Sequence, residues 1–144
     1  MKLILEEKGI EYQISEHEPV YTSEQAADVR GVDVSTGVKA LVVKTSEGGF
    51  VLVLVRADKK ADLDDIAKKE HTKRVRLASP QDVLEITGCE IGSVPPFGHD
   101  TELKTYFDRE ILENEYVNFN AGLHTVSIRM KARDLLRTIK GIEY

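Results

Sequence analysis

The chain has 144 residues, of which 41% are hydrophobic and 31% charged, a mixture typical of a globular domain. No apolar run approaches the roughly 18 residues of a membrane helix, and the net charge of −5 argues against a tight, nonspecific DNA-binding protein. The single cysteine, Cys89, excludes an internal disulfide, and the acidic N-terminal segment does not fit a signal peptide. We therefore expect one cytoplasmic domain over residues 1–144, without DNA or a membrane as partner.

The N-terminal segment is predicted to hold two short helices with a strand between them. Residues 1–10 favour a short helix, and Glu11–Glu16 alternates polar and apolar side chains as a strand does. Thr22 and Gln25 have the spacing of a capping box, in which a side-chain hydroxyl accepts a backbone N–H bond at the helix start. This spacing predicts a helix over Thr22–Val29.

The strongest strand signal is a pair of Val- and Leu-rich runs, Gly37–Thr45 and Phe50–Arg56. The residues between them, 46–49, include two glycines and fit a hairpin connection. Both runs are apolar on both faces over much of their length, which predicts that this hairpin lies at the centre of the core.

The rest of the chain alternates between short helices and strands. Its predicted elements, in chain order, are the helix Asp62–Lys69, the strand Arg74–Leu77, the helix 80–87, the strand Tyr106–Arg109, the strands Tyr116–Phe119 and Thr125–Met130, and the helix Ala132–Lys140. The last helix is amphipathic, with Leu135, Leu136 and Ile139 facing inward and Gly141 as its predicted C-cap. Because hairpins dominate and helices do not alternate strictly with strands, we predict an α+β fold with a mixed or antiparallel sheet.

Common catalytic and metal-binding motifs are missing from the sequence. The four histidines show no spacing typical of metal ligands. The chain also lacks a Walker phosphate loop and the GxSxG sequence of a serine-hydrolase elbow. The sequence therefore gives no indication of a metal or cofactor site, of nucleoside triphosphate chemistry or of a serine triad.

Two segments could still carry chemistry. Strand alternation places Lys39 on the same face as Leu41 and Val43, where an ammonium group would need an anionic or carbonyl partner. The alternative is a lysine that extends to solvent from the strand end. The loop Gly92–Gly98 contains two prolines and either presents free backbone N–H groups to an oxyanion or forms a rigid surface turn.

Four segments of the chain match one known family in their order and spacing. They are EHEPVYTSEQAA at Glu16–Ala27, GVKALVV at Gly37–Val43, TGCEIGSVPPFG at Thr87–Gly98 and VNFNAGLHTVSIRM at Val117–Met130. Each is short, but together they extend over nearly the whole chain and resemble the YbaK/ProX family, the editing domain also inserted in bacterial prolyl-tRNA synthetases. The resemblance implies a small barrel-like mixed β-sheet flanked by helices. It also implies hydrolysis, without metal or cofactor, of the ester between a wrong amino acid and the terminal adenosine of a tRNA.

The resemblance further implies roles for individual residues. Lys39 falls on the essential lysine of the family, where it would hold the substrate carbonyl or the terminal ribose-phosphate. The backbone N–H groups of Gly92, Ser93 and Val94 would orient the scissile carbonyl for attack by water, and Gly122 would let the backbone approach the adenosine. The further substrate-binding candidates are Tyr21, Pro95, Phe97, Asn120, His124 and Ser127.

One position bears on the amino acid that is removed. In the branch of the family that acts on cysteinyl-tRNA, an aspartate usually stands where this chain has Ser127. The stretch AGLHTVS is more similar to the branch that acts on alanyl-tRNA. We therefore expect alanine carried by proline tRNA as the substrate, followed by cysteine or serine, with the Pro95–Phe97 segment as the wall that excludes proline.

The expected partner is the acceptor end of a mischarged tRNA, together with an aminoacyl-tRNA synthetase. The candidates for contacting the acceptor stem are Lys68, Lys69, Lys73 and Arg74, with the basic C-terminal helix as the alternative. Two other functions stay open: a noncatalytic module that binds the tRNA end or an aminoacyl-adenosine-like ligand, and a hydrolase of another small ester or amide. Catalysis is favoured because binding alone would not require both Lys39 and the Gly92–Gly98 loop.

Overall fold

The computed structural model describes residues 2–144, except for the side chain of Lys2, and Met1 of the predicted first helix lies outside the described residues. The helices are α1 (Lys2–Glu7), α2 (Ser23–Arg30), α3 (Leu63–Lys69), α4 (Pro80–Thr87) and α5 (Ala132–Ile139). The strands are β1 (Tyr12–Glu16), β2 (Val38–Thr45), β3 (Phe50–Arg56), β4 (Val75–Leu77), β5 (Thr105–Phe107), β6 (Tyr116–Asn120), β7 (Val126–Lys131) and β8 (Ile142–Glu143). Within residues 2–144, no helix is long and apolar enough to cross a bilayer.

The strands form two sheets. The larger sheet has the order β4-β2-β3-β5-β8, in which β5 runs parallel to both β3 and β8 and the other pairs are antiparallel. The smaller sheet, β1-β7-β6, is antiparallel throughout. A bridge between Gly37 and Asn118 joins the start of β2 to β6. The predicted α+β class and both predicted hairpins are confirmed.

The β2–β3 hairpin lies at the centre of the core. Every side chain from residue 51 to 55 is at most 2% exposed, as expected for a strand covered on both faces. Leu52 and Leu54 face an apolar cluster that includes Phe119 of β6, whereas Val53 faces a second cluster that includes Ile66 of α3. Burying each such side chain contributes about 1.5–3 kcal/mol, so the hairpin is a rigid base for residues at its ends.

Capping residues fix the helix that approaches the start of β2. The side chain of Thr22 accepts a hydrogen bond from the backbone N–H of Gln25 at 3.1 Å, which confirms the predicted capping interaction at the start of α2. Gly31 ends α2 with φ of 70°, a left-handed conformation that glycine adopts without strain. Arg30 is therefore held at the last turn of α2, where the chain bends towards β2.

Three details of the C-terminal part differ from the sequence-based predictions. The C-cap of α5 is Lys140, with φ of 49°, and not Gly141. Gly141 is required instead by close packing, because a Cβ there would lie 2.9 Å from Cδ1 of Phe107. Arg109 begins a 3-10 helix instead of continuing strand β5, and the short β8 was not predicted because two residues carry no alternation signal.

Candidate functional site

A cavity of about 240 Å³ opens between α2, the first half of β2, α4 and the segment around residue 92. Five residues predicted for the site from the sequence line it: Tyr21, Lys39, Gly92, Val94 and Asn120. Most of the other lining side chains are small or apolar, including Val20, Ala26, Ala27, Val42, Val83 and Ile91. The cavity lies below the roughly 300–1,000 Å³ of typical small-molecule sites, so it suits a small group.

Lys39 is partly buried near the start of β2, opposite Val55 of β3. Leu41 and Val43 pack with the apolar cluster around α3, so alternation places Lys39 on the same face, as predicted. Its ammonium group forms no ion pair within residues 2–144, although several other lysines do. A partly buried cation without a protein partner is available to a polar group of a ligand.

The segment beside the cavity presents two backbone amides that have no acceptor. Gly92 has φ of +87°, and neither its N–H nor that of Val94 donates a hydrogen bond within the described part of the chain. The N–H of Ser93, in contrast, donates to the carbonyl oxygen of Glu90 at 3.0 Å, as does its hydroxyl at 2.8 Å. Ser93 therefore lacks the free amide that the sequence analysis assigned to it, because the local turn uses that donor.

The β6–β7 turn holds this segment in place. Asn120 Nδ2 donates to the carbonyl oxygen of Gly92 at 2.8 Å, and the N–H of Gly122 donates to the carbonyl oxygen of Ser93 at 3.1 Å. His124 contacts Glu90, with 3.3 Å between Nε2 and Oε2. Asn120 also lines the cavity, whereas Gly122 and His124 do not, so these two residues support the segment from behind.

His124 also supports the ring of Tyr21 at the cavity edge. Its Nδ1 lies 2.9 Å from the carbonyl oxygen of Val20, and its ring centroid lies 4.6 Å from that of Tyr21. Tyr21 is 68% exposed, which leaves most of its ring free to contact a ligand. Aromatic rings in such positions stack well on nucleobases.

The predicted Pro95–Phe97 wall is not part of the cavity. Phe97 is 7% exposed and packs edge-on against Phe119, with ring centroids 5.9 Å apart. Pro95 is buried and its carbonyl oxygen lies 2.8 Å from Nε2 of His99. These apolar side chains turn into the core because burial there removes them from water, and Ile91 and Val94 form the cavity wall instead.

Arg30, which was not predicted as a site residue, lines the cavity from the end of α2. Its Nε donates to Ser127 Oγ at 2.8 Å and its Nη2 to Asn120 Oδ1 at 3.1 Å. Burial lowers the pKa of Arg30 to about 10, so the side chain remains a cation at neutral pH. An arginine before a glycine at a helix end is an ordinary partner for the helix dipole, so the sequence carried no signal for these contacts.

Ser127 lies behind the cavity instead of lining it. It is 2% exposed, and its hydroxyl contacts Arg30 and also Nε2 of His17, at 2.7 Å. The predicted direct contact between Ser127 and substrate therefore does not fit its burial. Ser127 can therefore affect a bound ligand only indirectly, through its hydrogen bond to Arg30.

The predicted tRNA-contact residues lie outside the cavity. Lys68, Lys69, Lys73 and Arg74 are all exposed, on α3 and in the segment that follows it. Lys69 pairs with Asp65 one turn away, at 2.8 Å. Pairs of this kind on a helix surface contribute little to stability and leave the charge accessible to a polyanion.

The arrangement suits an ester carbonyl better than a metal or a phosphate-transfer centre. Two unpaired amides can donate to an oxygen that gains negative charge, and a partly buried ammonium adds a positive field. Within residues 2–144, no three His, Cys, Asp or Glu side chains are grouped as metal ligands. The side chains around the cavity therefore favour positioning and charge stabilisation.

Known proteins resemble the chain over nearly its whole length. Residues 17–138 match the model of the aminoacyl-tRNA editing domain. The multifunctional Ser/Thr-tRNA deacylase ProXp-y of Escherichia coli (strain K12) is 36% identical over 138 residues, which cover 93% of this chain and 83% of that protein. The prolyl-tRNA editing protein ProX of Acetoanaerobium sticklandii is 26% identical over 141 residues, or 94% of this chain and 86% of that protein.

A solved structure agrees with these matches. A protein described as a candidate trans-editing enzyme for prolyl-tRNA synthetase superposes with a TM-score of 0.89 and 30% identity, over 99% of this chain and 91% of that chain. The fold, the family model and the relatives thus point to the same family. The chain belongs to the aminoacyl-tRNA editing domains, which are hydrolytic.

Proposed function

We propose that this chain is a trans-editing deacylase that hydrolyses the ester between a small amino acid and the 3′ end of a mischarged tRNA. The observation that carries the proposal is one small cavity lined by Lys39 and by the amides of Gly92 and Val94, none of which has a hydrogen-bond or ion-pair partner in the described part of the chain. Because all three residues line the same cavity, an ester carbonyl bound in it could accept hydrogen bonds from them.

Water is the attacking nucleophile in this proposal. Its oxygen adds to the ester carbonyl, whose oxygen becomes an anion that accepts hydrogen bonds from the amides of Gly92 and Val94. Lys39 stabilises the same developing charge. Collapse of this intermediate breaks the bond to the ribose oxygen, which takes up a proton, and releases the free amino acid and uncharged tRNA. Because the ester is already activated, most of the rate enhancement comes from positioning and charge stabilisation.

The size and lining of the cavity support a small amino acid, with alanine on proline tRNA as the first candidate. Steric exclusion is needed to spare proline, and the side chains of Val20, Ile91 and Val94 would supply it. Serine and threonine form the second candidate, favoured by polar groups of Thr22 and Asn120 at the cavity and by the substrates named for the E. coli relative. A mainly apolar pocket rejects an added hydroxyl by only about a hundredfold, so serine can follow alanine closely.

The macromolecular partner in this proposal is the acceptor end of the tRNA, and prolyl-tRNA synthetase is the synthetase whose errors the chain would correct. The proposed contacts for the acceptor stem are exposed residues at the end of α3 and just after it, namely Lys68, Lys69, Lys73 and Arg74. Such contacts add affinity that falls with salt.

The test is a deacylation panel with the wild-type chain on alanyl-, seryl-, threonyl-, cysteinyl- and prolyl-esters of proline tRNA. The proposal predicts loss of one or more small esters well above the uncatalysed rate, while prolyl-tRNA is spared. The alternative function, a noncatalytic tRNA-binding module, predicts that every ester survives although tRNA is bound, and that outcome would contradict the proposal. Equal hydrolysis of esters without any tRNA would favour a general small-ester hydrolase instead.

A further inference from the structure

Arg30 is a cation at the cavity that the hydrolytic step does not use. Its guanidinium donates to two neutral acceptors, Ser127 Oγ and Asn120 Oδ1, and forms no ion pair within residues 2–144. Arg56 shows the usual arrangement, since it pairs with Asp58 at 2.6 Å and Glu113 at 2.9 Å. A partly buried arginine without a carboxylate is costly, because desolvation of its charge is not offset by a counter-ion.

The side chain of Arg30 is held in one orientation by a connected set of hydrogen bonds. His17 Nδ1 lies 2.8 Å from the carbonyl oxygen of Glu18, which can only accept, so the neutral ring carries its proton on Nδ1. His17 Nε2 then accepts from the hydroxyl of Ser127, whose oxygen is left to accept from Arg30 Nε. Ser127 is therefore a positioning residue that orients the guanidinium.

Arg30 still has donors to offer. A guanidinium carries five N–H donors, and the bonds to Ser127 and Asn120 use one on Nε and one on Nη2. Nη1 donates no hydrogen bond within the described residues, and it faces the start of β2, 3.8 Å from where a Cβ on Gly37 would lie. Gly37 lies beside Nη1, two residues before Lys39, although Ala57 fills the space at its Cβ position. Nη1 itself is not enclosed, because the buried side-chain polar atom that lacks a hydrogen-bond partner in the described residues is the hydroxyl of Tyr144.

The charges lining the cavity favour an anion. Arg30 and Lys39 are its cations, and the acidic side chain in its lining is Asp33, whose carboxylate accepts from the N–H of Ser35 at 2.9 Å. An aminoacyl ester has no negative charge of its own, and its amino group is repelled by cations when protonated. The nearest anion in an aminoacyl-tRNA is the phosphodiester that precedes the terminal adenosine.

We propose that Arg30 binds this phosphodiester through its free guanidinium edge, while Lys39 is left to the ester carbonyl. The proposal rests on the proposed deacylase function for the identity of the ligand. A guanidinium matches a phosphate better than an ammonium does, because its planar fork can donate two parallel hydrogen bonds. The phosphate then fixes the distance between the tRNA backbone and the amides of Gly92 and Val94.

The test measures binding of adenosine, AMP, inorganic phosphate and the dinucleotide CpA to the full chain by calorimetry. The wild type is expected to bind CpA and AMP about ten- to a hundredfold more tightly than adenosine, the effect of one charge-assisted hydrogen-bonded contact. Arg30→Gln is expected to bring these ratios close to one, and Arg30→Lys to restore part of them. Arg109→Gln, at an exposed arginine paired with Glu143, is the matched control and should keep the wild-type ratios.

Each outcome decides the proposal. An Arg30→Gln protein that keeps both the fold, judged by circular dichroism, and the wild-type ratios would overturn it. Tight binding of AMP or phosphate with no gain for CpA over adenosine would overturn the assignment to the tRNA backbone, since the site would then take a free nucleotide. If Arg30→Gln does not fold, Ser127→Asp provides the test: a carboxylate beside the guanidinium should cancel the phosphate preference.

These measurements use no ester, so they are independent of turnover. A wild-type chain that prefers CpA but hydrolyses none of the esters would contradict the proposed function and leave the phosphate site in place. A chain that hydrolyses esters but binds CpA no better than adenosine would contradict the role of Arg30 alone. With active protein, Arg30→Gln should raise KM for the charged tRNA far more than it lowers kcat.

Discussion

Gly92 holds the cavity segment in a conformation that other residues adopt only with strain. Its φ of +87° lies in the left-handed region, and a Cβ on it would approach Cε1 of His124 to 3.6 Å. The strain of a side chain here is about 1–2 kcal/mol, and the structure can relieve it by rotating the peptide that carries the free amide. The geometry of the proposed oxyanion donors therefore depends on this glycine.

We predict that Gly92→Ala lowers kcat for deacylation by about ten- to a hundredfold, with tRNA affinity nearly unchanged. The reason is that a rotated amide donates poorly to the oxyanion, whereas the loss of one such donor in known enzymes costs about 10²–10³ in kcat. Gly48→Ala is the matched control, because Gly48 has φ of +90° and nothing within 4 Å of its Cβ position. If Gly92→Ala and Gly48→Ala lower the deacylation rate equally, the proposed role of the Gly92 amide as an oxyanion donor is wrong.

Some residues of the candidate site could be predicted from the sequence, and others could not. Lys39, Gly92 and Val94 lie on local motifs whose chemistry is visible in the sequence, and the structure brings all three to one cavity. Arg30 and Ser127 are 97 residues apart in the chain, so their contact depends on the tertiary fold, which no local pattern encodes. The roles of all these residues stay predictions until they are measured.

At the scale of elements, the end of α5 carries a backbone strain that can be relieved. Lys140 has φ of 49° as the C-cap, a position that glycine fills at lower cost. We predict that Lys140→Gly raises the free energy of unfolding by about 1 kcal/mol, measured by urea denaturation. Gly141→Ala should do the opposite, because its Cβ would contact Phe107. A destabilised Lys140→Gly protein would show that the lysine side chain matters more than the strain.

The junction of α3 and β5 is stabilised by Glu70. Its carboxylate accepts hydrogen bonds from Lys104 Nζ, at 2.7 Å, and from the hydroxyl of Tyr106. Partial burial acts to raise the pKa of Glu70, but the hydrogen bonds from Lys104 and Tyr106 outweigh it and hold that pKa below its ordinary value. A lowered folded-state pKa means that the ionised carboxylate favours the folded state.

We predict that Glu70→Gln lowers the free energy of unfolding by about 1 kcal/mol at neutral pH. This contribution is fully present above the unfolded-state pKa of about 4.3 and is lost as pH falls through the lower folded-state pKa. Denaturation curves of wild type and variant should therefore converge in acid. A stability difference that stays constant down to the lowest pH would contradict the assignment to the ionised form.

The helices and strands were predicted well where the signal is local. The capping residues Thr22 and Gln25 predicted the start of α2, and the apolar runs predicted β2 and β3. The Pro95–Phe97 segment, predicted as the wall that excludes proline, does not line the cavity, because its side chains pack into the core. Its burial depends on the contact of Phe97 with Phe119, which is a property of the folded core.

At the scale of the whole molecule, the net charge of −5 limits how tRNA can bind. A polyanion must approach through local basic regions, and the proposed one comprises Lys68, Lys69, Lys73 and Arg74. Each phosphate contact contributes to the slope of log affinity against log salt. Affinity for tRNA is therefore expected to be modest and to fall as salt rises.

We predict that the double variant Lys73→Glu, Arg74→Glu weakens tRNA binding and flattens its salt dependence. Hydrolysis of an aminoacyl-adenosine ester should not change, because neither side chain lines the cavity. Lys8→Glu with Lys60→Glu changes the net charge equally at two other exposed lysines and serves as the control. Equal losses in both double variants would mean that only net charge matters, which would exclude a local contact region.

Lys39 lines the cavity, forms no ion pair within residues 2–144, and is the side chain on which the proposed hydrolysis depends most. The most direct test is single-turnover deacylation of the preferred mischarged tRNA by wild type, Lys39→Ala and Lys60→Ala, at saturating enzyme. We predict that Lys39→Ala lowers the rate by about a hundredfold or more while the thermal unfolding midpoint stays near that of the wild type, because no ion pair is broken. Lys60→Ala, at an exposed lysine, should retain the wild-type rate. A folded Lys39→Ala protein that deacylates at the wild-type rate would contradict the account.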